Sequence, residues 1–231
     1  MRLNKYISET GICSRREADQ WIVAGRVNVN GFLAELGTQI DEGDQVSVDG
    51  KPIGAVKQHV YLALNKPVGI TCTTERHIAG NIIDFIHHRE RIFPIGRLDK
   101  DSDGLILLTN NGDIVNEILR AENGHEKEYV VTVNRPVTDE FLVGMAHGVG
   151  ILGTRTLPCR VRRIGKNGFG IILTQGLNRQ IRRMCAVFEY QVRRLQRVRI
   201  NNLTLGNLPI GQWRNLDETE LRALLPDRQH W

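Results

Sequence analysis

The densest set of chemically competent side chains lies in one segment, RLDKDSDG, which starts at Arg97. Its three carboxylates occupy alternate positions, at Asp99, Asp101 and Asp103, and the cations Arg97 and Lys100 flank the first of them. Nearby positive charge lowers the pKa of a carboxyl group and keeps it ionised. An ionised carboxylate held by a tight loop can act as a nucleophile or a general base. The segment therefore predicts carboxylate chemistry, with Asp99 as the candidate.

The alternate carboxylates and the glycine after them are also typical of the start of an EF-hand calcium loop. That loop needs a glutamate at its twelfth position, which here is Asn110. It also follows a helix, whereas Phe93–Gly96 is a poor helix end and Leu105–Thr109 is typical of a buried strand. Calcium binding is therefore disfavoured and no metal is expected, while a purely structural turn stays open as an alternative.

Other kinds of site have no matching motif in the sequence. There is no Walker or G-x-G-x-x-G loop, so no nucleotide cofactor is implied. The four cysteines are scattered and form no C-x-x-C pair, which predicts free thiols rather than a zinc site or a disulfide framework. No cofactor is expected. No apolar run is long enough to span a bilayer and no signal peptide is recognised, so we expect a cytoplasmic protein.

A second chemical signal is a concentration of arginine between Asn178 and Arg199. The net charge of the chain is only +5, but this stretch holds seven arginines and one acid, Glu189. A helix is predicted over 178–188, and its buried face is expected to carry Ile181, Met184, Cys185 and Phe188. Another face would carry Arg179, Arg182 and Arg183. Because arginine binds phosphates and stacks on bases, the pattern favours a polyanion surface over a solvated basic face.

The elements that must position these groups fall into two parts. Residues 1–54 predict a small unit of two helices followed by short strands, because Ser14 and Glu17 form a capping box and Asn30-Gly31 and Asp49-Gly50 are hairpin turns. Residues 55–60 are predicted to be a linker. Residues 61–231 predict a mixed, mostly antiparallel α+β sheet. The expected strands are 60–65, 105–109, 128–133, 159–164, 169–174 and 192–200. The expected helices are 81–88, 113–121, 138–146, 178–188 and 217–225.

The order of these motifs resembles the RsuA family of RNA pseudouridine synthases. The likeness covers nearly the whole chain and is carried by four segments of the larger part: LNKPVG at 64–69, GRLDKDSDGL at 96–105, KEY at 127–129 and GLNRQIRRM at 176–184. The small part resembles an S4 RNA-binding domain through SRREA at 14–18 and GRVNVNG at 25–31. The resemblance implies a catalytic domain of pseudouridine synthase type with an S4 domain at its N-terminus.

The resemblance also implies roles for individual residues. Asp99 would be the nucleophile, Arg182 would pair with it, and Tyr129 would stack on the flipped base. Arg97 would fill the space that the base leaves. Contacts with RNA near the target would come from Arg97, Leu98, Asp99, Lys100, Arg179, Gln180, Ile181, Arg182 and Arg183. Backbone contacts by the S4 unit would come from Lys5, Arg15, Arg16 and Arg26.

The expected activity is therefore isomerisation of uridine to pseudouridine in structured RNA. Within the family, the likeness implies large-subunit (23S) ribosomal RNA as the substrate and tyrosine tRNA as a second candidate, and nothing requires more than a monomer. One alternative is a non-catalytic S4-type RNA-binding factor in ribosome assembly. Another is a nucleic-acid-binding regulator whose acidic loop is structural. Replacement of Asp99 separates the enzyme from both alternatives.

Overall fold

The computed structural model describes residues 1–54, 58–119 and 125–226. Residues 55–57 of the predicted linker lie outside the described residues, as do residues 120–121 of the helix predicted over 113–121. The chain divides into two compact units. The first comprises residues 1–60 with 88–92 and 110–112, and the second comprises 61–87, 93–109 and 113–231.

The first unit has the predicted order of two helices and then short strands. Its elements are α1 (Leu3–Glu9), α2 (Arg15–Val23), β1 (Val27–Val29), β2 (Phe32–Leu33), β3 (Val46–Val48) and β4 (Lys51–Ile53). The strands form an antiparallel sheet in the order β2-β1-β3-β4. Ser14 and Glu17 make the predicted capping box at the start of α2. Asn30 and Asp49 adopt positive φ in the two hairpin turns, as Asn-Gly and Asp-Gly turns require.

The second unit is built on one large sheet. The strands of this unit are β5 (Tyr61–Lys66), β6 (Phe93–Ile95), β7 (Asp103–Thr109), β8 (Lys127–Val133), β9 (Gly150–Ile151), β10 (Thr154–Arg155), β11 (Arg160–Arg163), β12 (Gly168–Leu173), β13 (Val192–Ile200), β14 (Leu203–Thr204) and β15 (Trp213–Asn215), of which β9 and β10 form a separate hairpin. Its helices are α3 (Ile82–Ile86), α4 (Asp113–Leu119), α5 (Asp139–Ala146), α6 (Gln180–Val187) and α7 (Glu218–Leu224).

The sheet has nine strands, seven of them in the order β11-β12-β8-β13-β7-β5-β15, with β14 beside β13 and β6 beside β7. Among the described strand pairs, only β7 and β13 run parallel. The mixed, mostly antiparallel sheet is therefore confirmed. Every residue of β5 and β7 is buried, which is what their nearly continuous apolar runs predict for strands covered on both faces.

Helix α6 also follows its sequence pattern. Ile181, Met184 and Cys185 are at most 5% exposed and pack into one apolar cluster with α5 and strands β8 and β12, and Phe188 packs against the same cluster. The predicted helix at 81–88 is shorter than expected, because His87 takes a left-handed conformation (φ 50°) and ends it. Strands β6, β14 and β15 and the β9–β10 hairpin had no periodic signal in the sequence.

Two further expectations can be compared with the described residues. The four cysteines are free, and burial raises the pKa of the Cys185 thiol to about 12. In the part of the chain that the structure describes, no helix is both long and apolar enough to cross a bilayer.

Candidate active site

The acidic segment forms a loop between β6 and β7 that backbone contacts hold in place. The amide of Gly69 donates to the carbonyl oxygen of Lys100 at 2.7 Å, and the amide of Leu98 donates to Cys72 Sγ at 3.4 Å. Gly104, the second residue of β7, has φ +108° and lies so close to β13 that a Cβ here would collide with the backbone of Arg197. A glycine is therefore required where the loop enters the sheet.

A cleft of about 660 Å³ opens beside this loop. It is lined by the loop, by β8, and by the stretch that leads into α6. The predicted site residues in its lining are Arg97, Leu98, Asp99, Tyr129, Arg179, Gln180, Ile181 and Arg182. The fold thus brings together three of the four motifs, those at 96–105, 127–129 and 176–184, in the lining of one cleft.

Asp99 and Asp101 both face Arg179 at the start of α6, but Arg179 holds them differently. Arg179 Nη1 lies 3.7 Å from Asp99 Oδ2, whereas its guanidinium binds both carboxylate oxygens of Asp101, at 2.9 and 2.7 Å. The hydrogen bond from Arg179 and the charge of Arg182 lower the pKa of Asp101. Asp101 is therefore a tightly held structural acid, while Asp99 stays a third exposed and less constrained.

The pairing of Arg182 differs from the one that the family resemblance implies. Its Nη2 donates to the carbonyl oxygen of Asp101 at 2.8 Å and to Ser102 Oγ at 3.1 Å, and its Nε lies 3.4 Å from Asp101 Oδ2. The guanidinium nearest Asp99 is that of Arg179. Arg179 caps α6 in a left-handed conformation (φ 49°), and its guanidinium meets the loop at Asp101 and Asp99.

The third aspartate belongs to the sheet rather than to the cleft. Asp103 is 3% exposed, and Arg194 binds both of its carboxylate oxygens, at 3.3 and 2.8 Å. Asp101 and Asp103 thus both bind arginine. Within the described part of the chain, no three His, Cys, Asp or Glu side chains are grouped closely enough to hold a metal ion.

The remaining predicted residues of this unit divide by exposure. Arg97, Lys100 and Arg183 are exposed, and Arg183 donates to the carbonyl oxygen of Asn178 at 3.1 Å. Tyr129 is half-buried on β8. Three others are at most 6% exposed, namely Leu98, Gln180 and Ile181, so any contact that they make with RNA would be with a nucleotide inside the cleft.

Three cations near the loop, two of them buried and one half-buried, were missed by sequence reasoning. Lys66 is fully buried, and its Nζ donates to the carbonyl oxygens of Pro67 and Ile70, at 2.8 and 2.9 Å. Arg197 and Lys127 line the cleft. Lys66 and Lys127 stand inside the motifs at 64–69 and 127–129, so their position beside recognised residues was an available signal. The burial of Arg197 had no such signal.

The expectation of one basic surface over 178–199 is only partly correct. Arg179 binds Asp101, Arg194 binds Asp103, and Arg199 binds Glu126 and Glu128, each at about 3 Å. Arg197 is buried. The partner acids come from distant parts of the chain, which is why the local sequence appeared almost free of acid.

The first unit carries the four predicted S4 contacts on its own surface. Arg15 and Arg16 are exposed at the start of α2. Arg26 is exposed too, but it binds Asp49 at 2.5 Å and lies over the ring of Trp21. Lys5 pairs with Glu9 at 3.5 Å. Arg15 and Arg16 are thus the cations of this set for which no intramolecular ion pair is seen among the described residues.

Comparison with known proteins matches both units to protein families. Residues 60–187 match the RNA pseudouridylate synthase family, and residues 1–46 match the S4 domain. The chain belongs to the RNA pseudouridylate synthase family. The synthase is 57% identical to the dual-specificity RNA pseudouridine synthase RluF of Escherichia coli K12 over 223 residues, which cover 96% of this chain and 77% of that protein.

Two further relatives agree with this assignment. The ribosomal large subunit pseudouridine synthase B of Bacillus subtilis is 33% identical, with 96% of this chain and 95% of that protein covered. A crystal structure of a pseudouridylate synthase superposes with a TM-score of 0.72 at 28% identity, covering 97% of this chain and 100% of that one.

The predicted fold class and enzymatic activity are therefore confirmed. The synthase is an isomerase that converts uridine to pseudouridine, and its substrate is RNA. Nothing in these comparisons supports the non-catalytic alternative.

Proposed function

We propose that this synthase modifies uridine in large-subunit ribosomal RNA and in a second class of RNA, for which tyrosine tRNA is the candidate. The support is the 57% identity to a relative whose name states a dual specificity, together with the relative named for the ribosomal large subunit. A ribosomal substrate also implies action in the cytoplasm. We further propose that the enzyme works as a monomer, since one chain carries both the synthase match and the S4 match.

Asp99 is the proposed nucleophile. The observation that carries this role is the difference between the two neighbouring acids: Asp101 is held at both oxygens, whereas Asp99 faces the cleft with its nearest guanidinium 3.7 Å away. An ionised but loosely held carboxylate can move onto a substrate atom. Whether it adds to C1′ of the ribose or first assists glycal formation, the C1′–N1 bond breaks and a C1′–C5 bond forms.

The other cleft residues serve base flipping and proton transfer. The target base must leave the RNA stack, which costs a few kcal/mol. Tyr129 would stack on the flipped base and assist removal of the C5 proton, and exposed Arg97 would occupy the vacated space. Arg182 would hold the loop through Asp101 and Ser102 rather than pair with Asp99. Phosphates near the target would contact Lys100, Arg179 and Arg183.

Residues 1–54 are proposed to be the RNA-anchoring domain, 55–60 the linker and 61–231 the catalytic domain. The unit boundary at residue 60 and the S4 match over 1–46 support this division. Lys5, Arg15, Arg16 and Arg26 would contact the RNA backbone, which contributes affinity and position more than sequence choice.

The substrate is tested by mapping pseudouridine in RNA from a strain that lacks the gene, with the restored gene as control. We expect at least one large-subunit ribosomal position, and one tRNA position, to lose pseudouridine and to regain it on restoration. Unchanged ribosomal RNA would contradict the ribosomal substrate, and unchanged tRNA would contradict the second specificity.

A further inference from the structure

Arg197 is a buried cation at the active-site cleft, and no carboxylate of the described residues forms an ion pair with it. Its Nε donates to the carbonyl oxygen of Leu105 at 2.7 Å, and its Nη1 donates to that of Arg97 at 3.5 Å. The residue is 3% exposed, and its Nη2 finds no hydrogen-bond partner among the residues that the structure describes. A buried N–H group without a partner is unfavourable, so a ligand that supplies an acceptor would be bound here.

A second, half-buried cation projects from the same face of the sheet. Arg197 lies directly opposite Tyr129 in the β13–β8 register, and Lys127 precedes Tyr129 by two residues, so the three side chains share one face. All three line the cleft. Lys127 Nζ donates to the carbonyl oxygen of His125 at 3.2 Å, and within the described residues no carboxylate lies at ion-pair distance from it. Burial and the charge of Arg197 lower the pKa of Lys127.

The reaction creates an anion that such a site would hold. When the C1′–N1 bond of uridine breaks, its electron pair stays with the uracil ring and spreads over N1 and the two carbonyl oxygens. The charge disappears when C5 bonds to C1′, the C5 proton leaves to a base and N1 gains a proton. Fixed N–H donors in a site shielded from water stabilise charge that develops in this way.

We propose that Arg197 and Lys127 form the binding site of the detached uracil anion. Arg197 donates its Nη2 hydrogen to a uracil carbonyl oxygen, and Lys127 adds positive charge beside it. Tyr129 lies on the same face beside both cations. It stacks on the detached uracil ring, so that the ring rotates in its own plane until C5 replaces N1 opposite C1′. This inference rests on the proposed function of the cleft, because the detached uracil stays beside Arg197 and Lys127 only if Asp99 acts on the ribose C1′ in the same cleft.

The test uses a leaving group that needs less stabilisation. Large-subunit ribosomal RNA is transcribed with uridine or with 5-fluorouridine, whose fluorine makes the detached ring a weaker base. Loss of the N-linked nucleoside is measured in single-turnover reactions by nuclease digestion and chromatography. We expect Arg197→Met and Lys127→Met to slow cleavage about 100-fold with uridine, as removal of an oxyanion donor does, and about tenfold with 5-fluorouridine.

Controls separate this role from a structural one. Lys127→Met leaves the bonds of Arg197 to the catalytic loop intact, so it tests the site even if Arg197→Met misfolds, and thermal unfolding monitors both variants. Arg155→Met, an exposed arginine of β10, should retain the wild-type rate. An equal loss on the two substrates would overturn the inference. Asp99→Asn should be inactive on both substrates, and if it is active, the proposed function fails instead.

Discussion

Asp99 and Asp101 stand two residues apart, yet their surroundings give them different tasks. The sequence could indicate an acidic loop and an arginine helix, and the family motif could single out Asp99. It could not indicate which arginine meets which acid, because these contacts join residues 78 and 81 positions apart in the chain. For the same reason the pairing of Arg182 with Asp99 was expected and is not found in the structure.

The two arginines should contribute unequally to catalysis. The side chain of Arg182 is 14% exposed and binds the loop at Asp101 and Ser102, whereas that of Arg179 is 41% exposed and its ion pairs are screened by solvent. We expect Arg182→Met to lower the single-turnover rate about 100-fold and Arg179→Met about tenfold, as loss of a buried and an exposed charged contact would. A larger loss for Arg179→Met would contradict this ranking.

Gly104 tests the contact between the loop and the sheet. We expect Gly104→Ala to destabilise the protein by about 3 kcal/mol, because the new methyl group meets the backbone of Arg197 and the positive φ disfavours alanine. Gly153→Ala is the control, since Gly153 also has positive φ but open space around it. Thermal unfolding compares the two variants. Equal destabilisation would mean that the close approach of β13 contributes nothing.

At the scale of elements, the sequence predicts those features of helices and turns that depend only on neighbouring residues. The Ser14 capping box, the two hairpin turns and the apolar face of α6 are properties of neighbouring residues, and each appears in the structure. Strand β15 is different, because Trp213–Asn215 becomes a strand only by pairing with β5, which is about 150 residues earlier. Pairing of that kind leaves no periodic pattern in the short segment itself.

The charged residues that join β8, β11 and β13 predict a pH-dependent stability. Arg199 binds Glu126 and Glu128, and its hydrogen bonds are the main cause of the lowered pKa of both acids. A lowered carboxyl pKa stabilises the fold above the pKa of the unfolded acid, about 4.3, and this contribution is lost as the pH falls through the folded pKa.

We therefore expect Arg199→Met to destabilise the enzyme by about 2 kcal/mol at pH 7. The difference from wild type should shrink below about pH 4, where the acids are protonated. Chemical denaturation at several pH values measures it. Arg222→Met, which breaks an exposed pair with Glu218 on α7, serves as a control with little effect. A difference that stayed constant down to pH 3 would argue against the charged contacts.

At the scale of the whole molecule, the order of motifs predicted both families and the fold class. The separate S4 unit adds a prediction about binding. We expect Arg15→Gln with Arg16→Gln to weaken RNA binding and to reduce the slope of log Kd against log salt by about one for each lost phosphate contact. Lys51→Gln, at an exposed lysine of the same unit, should leave the slope unchanged. A double variant with wild-type salt dependence would show that these arginines do not meet phosphate.

The central claim is that Asp99 performs the chemistry while its neighbours hold the loop and the RNA. Tritium release from C5-labelled uridine in a large-subunit ribosomal RNA transcript measures this directly. We predict that Asp99→Asn releases no tritium above background while its Kd for the transcript stays within about threefold of wild type, since affinity is dominated by phosphate contacts. Tritium release by Asp99→Asn at the wild-type rate would contradict the account.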